Sequence, residues 1–316
     1  MSTLSVGGAS ATAPSNAPSA PSDNALRTPP SAAKLSPDKA GRLRDLLKRA
    51  LWWCASVGTF IALWEFCWWR GIADPLLLPP PHMFLANLPE QFKFFDPAGS
   101  RSLEEDGGGL LSVLIVMAWT SLRVVVGLAL GFVGAVAVGV AIRYYGIFGK
   151  LMLPMVTLLT PISPVAWLPV AVFVFGIGNV PAIFLVFISV FFIIVLSTLS
   201  QIDAVPAAYL HVARIMGANK RQLFRQVILP AILPSLFVTL RMNLFAAWMV
   251  VLIAEAVGVG SGLGQIVMMA RNTFNASLVF FTMTLIGLLG FMFDRGLLWV
   301  QQRVLWWVGP SAVTGR

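Results

Sequence analysis

Four ionisable side chains lie within, or at the ends of, long apolar segments of this chain: Glu65, Arg241, Glu255 and Asp294. Burying a charge in apolar surroundings is costly, so such a group either pairs with another charge or contacts a polar solute. Arg241 and Glu255 occupy one segment about four helical turns apart, too far for direct pairing. For both residues, pairing with another helix and a place on a substrate path remain alternatives, whereas Asp294 is interpreted as structural.

The remaining reactive side chains form no catalytic or metal-binding pattern that we recognise. The two histidines, His82 and His211, belong to neither an HExxH motif nor a Cys/His cluster. No GxSxG nucleophile motif is present, and the glycines of GVGSGLGQ at 258–265 are not part of a GxxxxGK[ST] phosphate-binding loop. These glycines predict a turn or a re-entrant loop. We therefore expect neither an enzyme active site nor an ATP-hydrolysing site in this chain.

A polar, basic stretch, PAAYLHVARIMGANKRQLFRQVILP at 206–230, separates two strongly apolar segments. Pro206 suits the start of a helix, Gly217 suits a tight turn, and RQLFRQ predicts a second helix leading to Pro230. The pattern predicts a helix–turn–helix that projects into water. Taken alone, it is also compatible with an ordinary solvated basic loop.

The composition places these segments in a membrane. Apolar residues make up 58% of the 316 residues, charged residues only 11%, and the mean hydropathy is +0.83, which excludes a soluble globular domain. The 22 Lys and Arg against 13 Asp and Glu favour cytoplasmic loops rich in basic residues over a nucleic-acid partner. Cys54 and Cys67 fall on one predicted helix, about 20 Å apart, so no disulfide is expected between them.

The apolar segments predict an all-α integral membrane protein, because runs such as VVVGLALGFVGAVAVGVAI are continuous and do not alternate as barrel strands do. At about 20 residues per span, about six transmembrane helices are expected: 50–69, 119–142, 150–175, 180–200, 231–254 and 280–301. Residues 1–49 are predicted to form a disordered Ala/Ser/Pro-rich tail and a basic flank, and 50–316 the membrane domain.

The distribution of charge predicts one orientation. The basic flank at 34–49 and the basic loop at 201–227 are expected in the cytoplasm, and the loop at 70–110, which is rich in acids, outside. Six spans then return the carboxyl terminus to the cytoplasm.

Two spans have unusual compositions. The second contains glycines at spacings that allow close helix packing: Gly127, Gly131, Gly134 and Gly139. The third contains prolines that predict a kinked or interrupted helix: Pro154, Pro161, Pro164 and Pro169. The segment TPISPVAWLP within it is a candidate for lining a path, with a simple packing kink as the alternative.

The stretch at 206–230 resembles the cytoplasmic signature loop of ATP-binding-cassette (ABC) importer permeases, EAA-x3-G-x9-I-x-LP. Ala213, Gly217, Val227, Leu229 and Pro230 fall at its spacing, whereas His211 and Val212 replace its Glu and first Ala. Four further stretches resemble, in order, segments of the nitrate, sulfonate, taurine and bicarbonate importer group: TSLRVVVGLALGFVGAVAVGVAI at 120–142, TPISPVAWLPVAVFVFGIG at 160–178, LPAILPSLFVTLR at 229–241 and GSGLGQIVMMARN at 260–272.

This resemblance implies a type I ABC importer permease (MetI-like) fold in the bacterial cytoplasmic (inner) membrane, surrounded by lipid, with both termini cytoplasmic. It implies a homodimer with a second permease copy, two cytoplasmic ATPase subunits that bind the ATP, and an external substrate-binding protein. No cofactor and no nucleic acid are expected on this chain. The residues implied to couple it to the ATPase are His211, Ala213, Arg214, Gly217, Ala218, Asn219, Leu223, Val227, Leu229 and Pro230.

The implied function is the import of a small anion of the nitrate, bicarbonate, sulfonate or taurine class by alternating access. Candidate residues for the substrate path are Ser163, Pro164, Trp167, Arg241 and Glu255. An ion-coupled secondary transporter is the main alternative and would require an inverted repeat and central carboxylates, but no convincing repeat is found. A membrane-embedded enzyme is a weaker alternative because a catalytic cluster is lacking.

Overall fold

The computed structural model describes residues 39–71, 78–95 and 109–307, and within these ranges the chain forms helices and no strand. The described residues fall into two units, which divide between Phe60 and Ile61. Of the first unit, residues 39–60 are described, and they form the first part of helix α1 (Lys39–Trp69). The predicted disordered tail at 1–33 lies outside the described residues. Part of the predicted basic flank, residues 39–49, is helical.

The second unit is a bundle of helices, and from α4 onwards short turns join them. After the end of α1, its described α-helices are α2 (Pro81–Ala86), α3 (Leu88–Phe92), α4 (Leu110–Tyr144), α5 (Gly146–Leu159), α6 (Leu168–Phe175), α7 (Asn179–Asp203), α8 (Ala207–Ile215), α9 (Lys220–Gln222), α10 (Leu229–Ala254), α11 (Leu263–Asn272) and α12 (Ala276–Val304). A 3₁₀ turn, Pro164–Trp167, precedes α6, and two π-helical turns, Leu223–Ile228 and Glu255–Val259, flank α10.

Four continuous helical stretches are long and apolar enough to cross a membrane: Leu110–Tyr144, Asn179–Asp203, Lys220–Val259 and Ala276–Val304. A bent pair, Gly146–Leu159 with Pro164–Phe175, makes a fifth if it is counted as one span. The all-helical membrane fold predicted from the sequence is confirmed. The first of the six predicted spans, 50–69, lies on α1, a helix of 31 residues, and its membrane crossing stays a prediction.

The third predicted span is interrupted, as its prolines indicate. Helix α5 ends at Leu159, the 3₁₀ turn follows, and α6 leaves at an angle of 101° to α5. Pro164 lies at the start of the 3₁₀ turn, where its missing N–H costs no helical hydrogen bond. The turn packs against α7 and α10 on one side, and residues 161–163 just before it are exposed.

Helices α4 and α7 form the most extensive helix pair of the bundle. Gly127, Gly131 and Gly139 of α4 lie directly against Val186, Val190 and Thr198 of α7, and a Cβ atom at any of these glycines would overlap the opposing side chain. The predicted role of these glycines in close packing is therefore confirmed. Gly134 differs, because a Cβ there would make ordinary contacts with Phe187, the nearest at 3.7 Å.

Candidate functional site

The stretch at 206–230 is a helix–turn–helix, as its sequence predicts. Helix α8 follows Pro206 and ends at a turn in which Gly217 adopts a left-handed conformation, with φ of +80°. The N–H of Gly217 donates to the carbonyl of Arg214 at 2.9 Å, and that of Ala218 donates to the carbonyl of Ala213 at 3.0 Å. These two bonds close the end of α8 in the manner of a Schellman motif.

The second helix of this loop begins at Asn219, whose N–H donates to Oε1 of Gln222 at 2.9 Å. A π-helical turn, Leu223–Ile228, then leads directly into α10. Pro230 cannot donate a backbone hydrogen bond, and its ring crowds the preceding turn, which the wider π-helical turn accommodates. Leu229 and Pro230 therefore lie where the loop joins the long apolar helix α10 without a break in the helical residues.

The base of the loop is anchored in the bundle. Leu210, Leu223 and Phe224 pack against a buried cluster that joins the ends of α7 and α10. The ring of Phe224 also meets the ring of Tyr144 edge to face, with centroids 5.3 Å apart. Tyr144 is the last residue of α4, so the loop lies at the carboxyl end of that helix.

The tip of the loop, by contrast, is exposed and mixed in character. Its apolar members Tyr209, Val212, Ile215 and Met216 are all exposed, Ile215 to 86%. The same loop carries four exposed basic side chains: Arg214, Lys220, Arg221 and Arg225. Exposed apolar residues together with charged ones are typical of a protein-binding surface.

The structure distributes the residues of the predicted coupling set between the tip and the base of the loop. Exposed members are His211, Arg214, Gly217 and Asn219, and half-buried members are Ala213, Ala218, Leu223, Val227, Leu229 and Pro230. His211, which replaces the Glu of the signature, is accessible on α8 beside the exposed apolar residues.

The residues predicted for a substrate path do not form one cluster of hydrogen bonds. Ser163 is exposed at the start of the 3₁₀ turn, and Pro164 and Trp167 are half-buried within that turn. Within the part of the chain that the structure describes, the buried indole N–H of Trp167 has no hydrogen-bond partner. This N–H lies beside the break between α5 and α6 and is screened from solvent in the described conformation.

Arg241 is held by Asp294 of α12. Its Nε donates to Oδ1 at 2.6 Å and one terminal nitrogen donates to Oδ2 at 3.0 Å, which is the two-pronged geometry of a strong Arg–carboxylate pair. The side chains are 35% and 12% exposed, respectively. The pairing of Arg241 with another helix, one of its two predicted alternatives, is thus confirmed, and the structural role of Asp294 stays a prediction that this pair supports. The charge of Arg241 is already balanced, which weakens its case as a fixed anion site.

A cavity of about 760 Å³ lies between α4, α10 and α12 near this pair. Apolar side chains dominate its lining, among them Leu128, Phe237, Leu244, Met292 and Leu297. Such a lining offers an unhydrated anion almost no hydrogen bonds to replace its water. The cavity itself is therefore not a binding site for a small anion in the described conformation.

Glu255 pairs with Arg123 of α4, a residue that the sequence analysis missed. Both side chains are buried, at 0% and 2% exposure, and Nη1 of Arg123 donates to Oε1 of Glu255 at 2.5 Å. The pairing of Glu255 with another helix, one of its two predicted alternatives, is thus confirmed. A signal for Arg123 was present, because it is the one charge inside the predicted span 119–142.

Comparisons with known proteins place this geometry among transport proteins. The model of the family described as "binding-protein-dependent transport system inner membrane component" matches residues 127–306. An ABC transporter permease protein of Methanocaldococcus jannaschii is 34% identical over 58% of this chain and 70% of its own length. The nitrate import permease of Synechococcus elongatus is 28% identical over 88% of this chain and 97% of its own length. The bicarbonate transport system permease of the same organism is 30% identical over 75% of this chain and 92% of its own length.

A solved structure of the MetNI methionine ABC transporter in inward-facing conformations is similar to this chain, with a TM-score of 0.51. It is 21% identical and the match covers 62% of this chain and 95% of that chain. This likeness supports the MetI-like fold predicted from the sequence. The nitrate and bicarbonate permeases among these relatives fall in the group that the sequence motifs resemble, so that resemblance is confirmed.

Proposed function

The chain belongs to the family of binding-protein-dependent transport system inner membrane components, and we propose that it is the permease subunit of an ATP-driven importer. Within such a system this chain supplies the membrane passage, and a separate ATPase binds and hydrolyses ATP. The observation that carries the proposal is the helix–turn–helix at 206–230, whose base is anchored between α4, α7 and α10 and whose apolar tip is exposed.

We propose that the tip of this loop inserts into a groove on a cytoplasmic ATPase. Its exposed apolar residues would be buried there, while Arg214 and Lys220 would face acidic or polar groups at the rim. His211 takes the place of the usual Glu of the signature, so the facing position on the ATPase is expected to differ from one that receives a carboxylate.

The complete importer would contain two permease copies, two ATPases and an external binding protein. ATP-driven closure of the ATPases would move the two loops and shift the permeases between inward-facing and outward-facing states. The proposed place of the chain is the inner membrane, in contact with lipid, with the loop at 206–230 in the cytoplasm.

The proposed substrate is a small anion of the nitrate, bicarbonate, sulfonate or taurine class. Support comes from relatives whose names describe nitrate and bicarbonate transport. In this chain exposed Ser163, at the break of the third span, suits brief contacts with an anion, and the buried indole N–H of Trp167 beside it would be a second donor once it is uncovered. Weak contacts of this kind are compatible with passage, because a tightly held ion would not be released.

The test is a change at the loop tip that leaves the fold intact. Ile215→Asp puts a charge on a side chain that is 86% exposed, so the permease should fold normally while the apolar contact with the ATPase is lost. We expect co-purification of the ATPase and substrate-stimulated ATP hydrolysis to fall at least about tenfold. Ile177→Asp is the matched control, since Ile177 is 79% exposed in the turn between α6 and α7, away from the loop.

Undiminished stimulation in the Ile215→Asp complex would refute the docking role of the loop. Equal losses in both variants would point instead to a general effect of a new charge on the fold.

A further inference from the structure

Arg123 is the centre of a buried polar cluster that joins several helices, here called the Arg123 knot and consisting of Arg123, Asn179, Glu255 and Ser261. Besides the bond to Glu255, Nε and Nη2 of Arg123 donate to Oδ1 of Asn179 at 2.9 and 2.7 Å. Nη2 also donates to Oγ of Ser261 at 2.9 Å, and Nη1 to its carbonyl at 3.2 Å. One guanidinium thus connects α4, the first residue of α7, the π-helical turn after α10 and the turn before α11.

The second carboxylate oxygen of Glu255 extends the knot into α11. Its Oε2 accepts the N–H of Gly264 at 3.0 Å, in the first turn of that helix. Gly262 has a φ of +112°, and a Cβ atom there would overlap the carboxyl group of Glu255. The adjacent N–H of Leu263 donates to Oγ1 of Thr120 at 3.2 Å. Helix α4 therefore binds this turn through Thr120 as well as through Arg123. The glycine-rich segment 258–265 is therefore folded around the knot.

The knot and the loop at 206–230 lie at opposite ends of the same helices. In α4, Arg123 precedes Tyr144, which touches the loop, by about six helical turns or roughly 30 Å. An unbroken helical stretch, Lys220–Val259, runs from the second helix of the loop to Glu255. The loop and the knot are therefore joined by one continuous helical stretch.

Only arginine can make this set of contacts. The planar guanidinium presents five N–H donors in fixed directions, whereas the ammonium of lysine is a single point that cannot reach Asn179, Glu255 and Ser261 together. Loss of the cation would also leave the buried carboxylate of Glu255 uncompensated. Breaking the knot during each transport cycle would incur that cost every time.

We propose that Arg123 is a positioning residue for transport, which keeps α4, α7 and the helical stretch Lys220–Val259 together as one rigid body throughout the cycle. Access at the end remote from the loop then changes by rotation of this whole body, and α4 does not separate from α10. The inference rests on the proposed importer function, because that function supplies the displacement at the loop.

The first test is Arg123→Lys in the complete importer reconstituted in lipid vesicles. The variant retains a cation for Glu255 and loses the connections to Asn179 and Ser261. We expect ATP hydrolysis to continue while substrate uptake per ATP falls roughly tenfold or more, as for the loss of a charge-assisted hydrogen bond. Arg143→Lys is the control, because Arg143 also joins α4 to α7, through Asp203, but this pair is exposed.

Wild-type uptake per ATP in the Arg123→Lys complex would overturn the positioning role, and a merely structural role would lower the yield of folded protein without changing that ratio. If the wild-type complex shows no ATP-dependent uptake at all, the importer function itself fails, which is a different result.

A second test needs no change in the knot. Spin labels replace Trp119 of α4 and Val257 of the π-helical turn, both of which are exposed, in a chain whose two cysteines are changed to serine. Labelled permease is diluted with unlabelled permease so that distances within one subunit dominate. The distance is expected to be the same without nucleotide and with bound ATP, and a change between these states would refute the rigid body.

Discussion

At the scale of single residues, the charges inside the apolar segments proved to be paired across helices. Arg241 with Asp294 and Arg123 with Glu255 neutralise one another, so neither pair leaves a net charge within the bundle. The sequence analysis singled out three of these four residues, Arg241, Glu255 and Asp294, because a charge inside an apolar segment is costly to bury. It could not identify their partners, which are 53 and 132 positions away along the chain.

The Arg241–Asp294 pair is expected to behave as a structural link between α10 and α12. Arg241→Gln and Asp294→Asn alone each leave a partly buried charge unpaired and should destabilise the protein by about 1–3 kcal/mol. The double variant removes both charges and should recover most of the stability and the anion uptake. Thermal unfolding in detergent and uptake by vesicles measure the two quantities. Recovered stability with absent uptake would instead place Arg241 on the substrate path.

At the scale of helices, local sequence predicted where the chain can bend and where helices can approach. The prolines of the third span predicted its interruption, and the glycines of the second span predicted close packing. The angle of the bend and the identity of the packing partner were not predictable, because both depend on neighbouring helices. Gly134 shows the same limit: its spacing resembles that of the other glycines, yet it does not lie in the tight contact.

This difference between glycines gives a matched pair of variants. Gly131→Ala introduces a Cβ into the side chain of Val190 and near the carbonyl of Phe187, and should destabilise the α4–α7 packing by about 1–3 kcal/mol. Gly134→Ala introduces the same methyl group where it meets the Phe187 ring at 3.7 Å, and should be neutral or slightly stabilising. Thermal unfolding of both variants measures the difference. Equal melting temperatures would contradict the described α4–α7 interface.

At the scale of the whole molecule, the distribution of basic residues predicts which side of the membrane each loop occupies. In a chain whose native cysteines are replaced by serine, a cysteine at Ile215 should be protected from a membrane-impermeant maleimide added to spheroplasts. A cysteine at Phe274, exposed in the turn between α11 and α12, should react. Permeabilised membranes control for intrinsic reactivity. Reaction of the Ile215 cysteine in sealed spheroplasts would reverse the proposed orientation and separate the loop from any cytoplasmic ATPase.

The sequence by itself determined that the chain is helical and embedded in a membrane, that one span is broken, and that a helix–turn–helix carries an importer signature. These properties depend on hydropathy, on the geometry of proline and glycine, and on short spacings, all of which are local. The tertiary structure decided which charges meet, which glycines are in contact and where the Arg123 knot lies. Such features depend on the rotation and neighbours of each helix, which packing between distant segments sets and local sequence does not.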